Sequence, residues 1–448
     1  MFFYYMFVAM TLSLLGLPLL IPRKRRAGLG QKLGVIPQSL RRSGSSAAPS
    51  VWFHTVSVGE FKACEPLIEL FQRRNPGYSI YLSTATQTAQ VLAGQRLGPD
   101  ARTFYFPLDL PWTINPWLDT IRPEAVVIAE TEIWPGFTWE CSRRDIPIMI
   151  VNGRLSKRSF RLYRQFRWLF GPVLRHFTAI ACQCQEDAQR YRAIGGLDLP
   201  VSTTGNLKFD GLAAISQEAK AEIMECLGLK AGTPVVVAGS THEKEETALL
   251  TAYRHLIENS SLENHPRLIL APRHPERFNR VEEAIRLAGF RPRRWSRQEQ
   301  LTSSSDVYLL DTIGKLPSFY AVARIAFVGG TLVPIGGHNL LEPYIYAVPV
   351  VCGPYLNKTK NVANMLRARN ALTVVDSQAA FNNALLKLVL SPDSRELGDR
   401  GRELILESQG AVDQTMRILE GVLASSRAGK MGRVAAAGQQ SCLKGGGP

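Results

Sequence analysis

Residues 51–71 read VWFHTVSVGEFKACEPLIELF, an apolar run that breaks at Ser57-Val58-Gly59-Glu60 and passes directly into a second pattern. Residues 51–56 are aromatic and β-branched, as in a strand buried on both faces. Beyond Glu60, Phe61, Cys64, Leu67, Ile68 and Phe71 recur at helical spacing and form one inward stripe. A strand that enters an amphipathic helix through a short turn is half of a βαβ unit. Its recurrence along a chain specifies a parallel sheet covered by helices.

It does recur. YSIYLST (78–84), EAVVIAE (124–130), IPIMIVN (146–152) and FTAIAC (177–182) extend the first series. After a polar stretch a second series follows: PVVVAGS (234–240), RLILAPR (267–273), VYLLD (307–311), RIAFVGG (324–330) and VPVVCG (348–353). The expected class is α/β, with two Rossmann-like doubly wound domains, residues 51–205 and 233–424, joined by a linker over 206–232. Ligands of such sheets lie outside the carboxyl ends of the strands, so the cleft between the domains is the expected working site. The stretch 425–448, rich in Ala, Gly, Ser and Lys, is expected to be disordered.

The chain has 448 residues and a net charge of +15, which suits work beside phosphates or anionic lipid. Its seven cysteines are scattered without the paired spacings of a zinc site or a disulfide framework, which points to reduced thiols and no metal. From Phe2 to Ile21 no residue is charged, and Arg23, Lys24, Arg25 and Arg26 follow at once. About twenty helical residues match a bilayer core of about 30 Å. Basic residues after the apolar run argue for an uncleaved anchor over 2–21, with the remainder cytoplasmic. Gly16 and Pro18 leave a shallow interfacial helix open. Residues 22–50 read as a basic juxtamembrane segment and linker.

Candidate chemistry lies just after the strands. Glu60 is placed to act as a general base, yet Ser57-x-x-Glu60 equally fits a capping box. Glu130 and Glu132 end a strand at alternate positions and share one face; acceptor binding and simple solvation both fit. Arg273 and His274 follow a strand in the stiff loop Pro272-Arg273-His274-Pro275, where the arginine can meet phosphate. The segment 324–354 carries two glycine pairs, and Gly336-Gly337-His338-Asn339 is expected to open a helix bearing Glu342, its amino terminus offered to a phosphate. Ser240 begins another turn, either touching phosphate or capping with Glu243. The stretch 154–168, RLSKRSFRLYRQFRW, interleaves basic and aromatic residues and suits docking on anionic lipid, although a solvated helix face fits as well. No nucleic-acid reader motif accompanies the charge, so nucleic acid is not an expected partner.

Taken in order, HTVSVGE, STATQTA, PLDLPW, AETEIWP, NGRLS, GNLKFD, GSTHE, APRHPERF and FVGGTLVPIGGHNLLEP resemble the bacterial 3-deoxy-D-manno-octulosonic acid (Kdo) transferase family over roughly residues 20–415. The resemblance implies a GT-B fold, an acceptor-binding first domain and a nucleotide-sugar-binding second domain. It also implies a CMP-Kdo donor, the lipid A precursor lipid IVA as acceptor, an inner-membrane location facing the cytoplasm, and no cofactor or metal. Carried onto matching positions, it makes Glu60 the base and assigns donor contacts to Pro272, Arg273, Ile313, Gly314, Lys315, Asn339, Leu340, Leu341 and Glu342. Glu130 and Glu132 match its acidic pair near the acceptor. Two departures stand out: Lys315 occupies a position often acidic in the family, and YLNKTKN (355–361) lacks the family's aromatic-Asn-aromatic pattern. A GT-B-like sugar-nucleotide epimerase and a non-catalytic lipid-binding protein are the alternative readings.

Overall fold

A computed structural model describes residues 28–41, 48–98, 101–212, 214–260, 262 and 264–444. The anchor expected over 2–21 lies outside these residues; among the described residues no helix is long and apolar enough to cross a membrane. The described chain forms two compact units, divided after Gly211 and again before Gln409.

The first unit holds a seven-stranded sheet: β1 Ser50–Thr55, β2 Ser79–Thr84, β3 Ala101–Tyr105, β4 Ala125–Ala129, β5 Ile148–Gly153, β6 Ala179–Cys182 and β7 Val201–Thr203. Its order is β3-β2-β1-β4-β5-β6-β7, and every pairing is parallel. Alternation along β1 sends Trp52 to a core with Phe104, Trp117 and Phe137, while Val51 and Phe53 join Phe61, Leu67 and Phe71 on the other face. Helix α1, Val58–Arg74, supplies that second layer with its predicted stripe.

The second unit repeats the plan with β8 Val235–Thr241, β9 Arg267–Pro272, β10 Arg291–Arg294, β11 Asp306–Leu309, β12 Ile325–Val328, β13 Val350–Cys352 and β14 Leu372–Val374. The order β10-β11-β9-β8-β12-β13-β14 is again parallel throughout. In each sheet the order reverses beside the first strand, between β1 and β4 and between β8 and β12. Those are the switch points at which doubly wound sheets take ligands.

The structure revises three boundaries. Residues 28–41, expected within the juxtamembrane segment and linker, pack on the first unit: the Tyr105 N–H donates to Gln31 Oε1 at 2.8 Å, and the Trp117 indole donates to the Gln31 carbonyl at 3.0 Å. The expected linker 206–232 is largely structured, with a helix over Gln217–Cys226. The second domain ends before 424, because the closing helix Ala411–Lys444 belongs to the first unit. Its Ala411, Val412, Met416, Leu419, Val422 and Leu423 are buried with Val51 and Phe71. Asp210 accepts the Gly410 N–H at 2.7 Å and also the Val412 N–H, which caps this helix. The helix runs on to Lys444, into the stretch expected to be disordered, where alanine is frequent and favours helix.

Candidate functional site

At the β1/β4 switch point the capping reading of Glu60 is realised. Ser57 is the N-cap of α1 and accepts the Glu60 N–H at 3.4 Å. The Glu60 carboxylate in return accepts the Val56 N–H at 2.7 Å and the Ser57 hydroxyl at 3.2 Å. The cap therefore fixes the carboxylate at the strand end. Burial pushes its pKa up to about 7; the Val56 amide opposes the shift, and the charges of Glu130 and Glu132 reinforce it. That influence brings the three predicted carboxylates of this domain together.

Glu130 leaves β4 with a left-handed backbone, φ 56°, a conformation few non-glycine side chains adopt. Its N–H is held by the Val151 carbonyl at 2.9 Å, and its own carbonyl accepts the Tyr191 hydroxyl at 3.3 Å. The carboxylate lies 3.6 Å from the Lys208 ammonium. Burial raises the Glu132 pKa, with Trp134 opposing and Glu130 adding to the shift. Sequence reasoning missed Lys208, although GNLKFD contains it. Beyond these groups, helix residues Lys157–Gln165 bury no side chain, and Arg158, Arg161, Arg164, Arg167 and Trp168 are exposed.

The second unit gathers its predicted residues at the carboxyl ends of β8, β9, β11 and β12. Pro272 ends β9, and the Arg273 N–H donates to the Thr241 carbonyl at 3.0 Å, leaving the side chain exposed. His274 is exposed beside it. Arg277 is not available in the same way, because Glu246 holds it bidentately at 2.8 and 3.1 Å. Ile313, Gly314 and Lys315 form an exposed loop after β11, with Gly314 at φ 86°. Ser240 has a left-handed backbone, φ 55°, and its carbonyl passes so near Gly329 that a Cβ there would lie 2.3 Å away.

Two expectations about turns are corrected. Ser240 and Glu243 do not cap the helix Glu245–Asn259, whose N-cap is Lys244. The buried Glu245 instead accepts the N–H groups of His242, Gly330, Thr331 and Leu332 at 2.8–2.9 Å. Nor does Gly336-Gly337-His338-Asn339 open an α-helix: the helix is a five-residue 3-10 turn, Glu342–Tyr346. The amides of Gly336 and Gly337 turn back to the Gly330 carbonyl at 3.1 and 2.7 Å. The glycine loop is thus held by a carboxylate and its own carbonyl, so several amides expected to face a phosphate are engaged. Asn339 donates to Glu342 at 3.1 Å and accepts the Leu341 N–H at 3.1 Å. The Leu340 and Leu341 side chains are buried, so only their main chain could meet a nucleotide.

The residues that do converge there include two histidines that the sequence pattern does not single out. His242, after β8, and His338, in the glycine loop, approach Nε2 to Nε2 at 2.8 Å with rings 4° from parallel. The His274 ring lies 5.4 Å from that of His242. Burial first, then surrounding positive groups including Arg273 and Lys358, hold both imidazoles down to about 4. Nothing in the spacing of GSTHE and GGHN brings two histidines together; the fold does so because β8 and β12 are neighbours.

A family model described as 3-deoxy-D-manno-octulosonic-acid transferase (kdotransferase) matches residues 27–211. The chain is 33% identical over 384 residues to a 3-deoxy-D-manno-octulosonic acid transferase of Haemophilus influenzae, covering 84% of this chain and 88% of that protein. It is 32% identical over 432 residues to the enzyme of the same name from Bordetella pertussis, covering 92% and 98%. A glycosyltransferase structure from Rickettsia africae superposes with a TM-score of 0.54 at 10% identity, covering 84% of this chain and 99% of that one, a likeness of fold.

Proposed function

The chain belongs to the 3-deoxy-D-manno-octulosonic acid transferase family, and from that premise we propose that it transfers Kdo from CMP-Kdo to a lipid A precursor, lipid IVA, with inversion at the anomeric carbon. The observation that carries the catalytic part is the Glu60 carboxylate: fixed by its own cap, half-buried, and raised to about 7. A base with a pKa near the working pH accepts a proton most effectively, an effect worth about 10²–10⁴-fold in rate.

Glu60 takes the proton of the acceptor hydroxyl as that oxygen bonds to the anomeric carbon. The bond from that carbon to the phosphate oxygen breaks, and CMP leaves with the electron pair. Glu130 and Lys208 set the charge around the attacking group. Arg273, with the main chain around Gly314 and Asn339–Glu342, contacts the nucleotide, and the departing phosphate is stabilised by positive groups already in place. The Arg273 N–H bond to the Thr241 carbonyl fixes the turn that carries Arg273 and His274, and His274 and Ser240 lie where they can contact the sugar. In that loop the Gly314 backbone carries the contact rather than the Lys315 side chain.

The exposed arginines and Trp168 of the 157–168 region suit the phosphorylated, lipid-borne acceptor at the cytoplasmic face of an inner membrane. The test is CMP release from CMP-Kdo by purified protein with and without lipid IVA, with mass analysis of the lipid. Release only with acceptor, matched by lipid gaining one or more Kdo masses, is the expected result. CMP released without lipid, or lipid unchanged in mass, overturns the reading and revives the epimerase or lipid-binding alternatives.

A further inference from the structure

The His242–His338 contact has a chemical requirement of its own. Two imidazole nitrogens 2.8 Å apart must share a hydrogen, one as N–H donor and the other as lone-pair acceptor. A neutral pair satisfies this, and so does a pair with one added proton, whose N–H···N bond is charge-assisted and stronger. The surroundings decide which form is held. From the loop after β9 come Arg273 and Arg277, with His274 beside His242, and from beyond β13 comes Lys358; Arg273 and Lys358 act on both rings as positive neighbours and Arg277 on His242. The carboxylates nearby are already engaged: Glu245 with four main-chain amides, Glu246 with Arg277 and Thr241, and Glu276 facing His274 at 3.8 Å. With burial added, these groups keep both rings neutral near pH 7. A site of this kind is balanced only when an anion enters.

We propose that His242 and His338 act as one proton-sharing unit that binds the nucleotide's phosphate as a cation, taking up a proton as the cytidylate enters. This rests on the donor-site reading of the second domain and adds residues and a proton to it. An anion beside the pair reverses the local sign, so the protonated form becomes the stable one and binding is linked to pH. The unit then presents an extra positive charge while the phosphate is bound and loses it when the phosphate leaves. Among the described residues no group of three or more His, Cys, Asp or Glu is disposed to hold a metal ion, so the neighbouring histidines are assigned no metal role.

The test is calorimetric titration of full-length protein at pH 6.5 with CMP and with cytidine, in two buffers of different ionisation enthalpy, which counts protons taken up on binding. Wild type should take up about half to one proton more with CMP than the His338→Gln variant does, whereas cytidine should give no such difference. The comparison with the variant removes the contribution of CMP's own phosphate ionisation, near pH 6. His242→Gln should lose the same increment, and it serves if His338→Gln does not fold. Should CMP bind with equal proton counts in wild type and folded variants, the proton-sharing unit is overturned while the donor reading stands. Failure of CMP to bind wild type at all overturns both.

Discussion

Lys208 holds its ammonium 3.6 Å from the carboxylate of Glu130, a residue whose backbone is left-handed at φ 56°. The two side chains are 42% and 20% exposed, so the pair contributes at most about 1 kcal/mol to stability. A strained backbone maintained for so small a return is better explained by the charge it sets beside Glu60.

The pH dependence of turnover tests that explanation. Glu130 raises the Glu60 pKa by like-charge repulsion, so Glu130→Gln favours the ionised base and moves the acidic limb of the rate profile below about 7. Lys208→Ala leaves the Glu130 charge uncompensated and should not move that limb downward. Both variants should melt within about 1 kcal/mol of wild type. An unchanged limb in Glu130→Gln disproves the electrostatic link.

Glu60→Gln separates the cap from the chemistry. Glutamine can still accept the Val56 N–H, but it cannot take a proton, so turnover should fall about 10²–10⁴-fold in a folded protein. Stability supplies a second readout. A carboxyl whose pKa rises from 4.5 to about 7 on folding stabilises most below the lower value, and that contribution is lost as pH rises through the higher one. Wild type should therefore weaken from pH 5 to pH 8, relative to the variant, by on the order of 2–3 kcal/mol. Denaturant melts at the two pH values check the sign; a constant difference would falsify the raised pKa.

The sequence made the interior strands plain and the margins obscure, for one physical reason. β1, β4, β8 and β12 are buried on both faces and appear as apolar runs. The strands that sequence reasoning overlooked are β3, β7, β10 and β14, which are the edges of the two sheets. An edge strand needs neither a long apolar run nor two buried faces; β10 reads RPRR and β14 is three half-buried residues. Glu60, Glu130 and Arg273 were legible because each follows an obvious strand. Lys208 and the histidine pair were not, since their partners come from distant segments. The glycine loop was recognised but its amides were assigned to a phosphate, because a buried carboxylate such as Glu245 leaves no periodic mark in a charged run like THEKEE.

Glu245 therefore carries a prediction about the second domain alone. Truncation to alanine leaves four amides without their acceptor, and a buried unsatisfied group costs about 1–3 kcal/mol. Glu245→Ala should destabilise by at least about 3 kcal/mol and weaken CMP binding by disordering the loop around Gly330. Glu245→Gln, which still accepts hydrogen bonds, should lose less on both counts. Equal melting of Glu245→Ala and wild type contradicts the assignment.

Asp210 provides the corresponding lock in the first domain. Its carboxylate receives the amides of Gly410 and Val412, and the helix that begins there lays Met416, Leu419 and Leu423 against the layer behind β1. A carboxylate at a helix amino terminus gains from the dipole as well as from the hydrogen bonds, together about 1–2 kcal/mol. Asp210→Ala should lose that amount in denaturant melts, whereas Asp210→Asn, which still accepts the bonds without the charge, should recover part of it. Because α1 lies in the same buried layer as this helix, loosening it also loosens the seat of Glu60. Turnover should then fall with a larger change in kcat than in KM. Were Asp210→Ala to keep wild-type stability, the closing helix would owe its place to its apolar stripe alone.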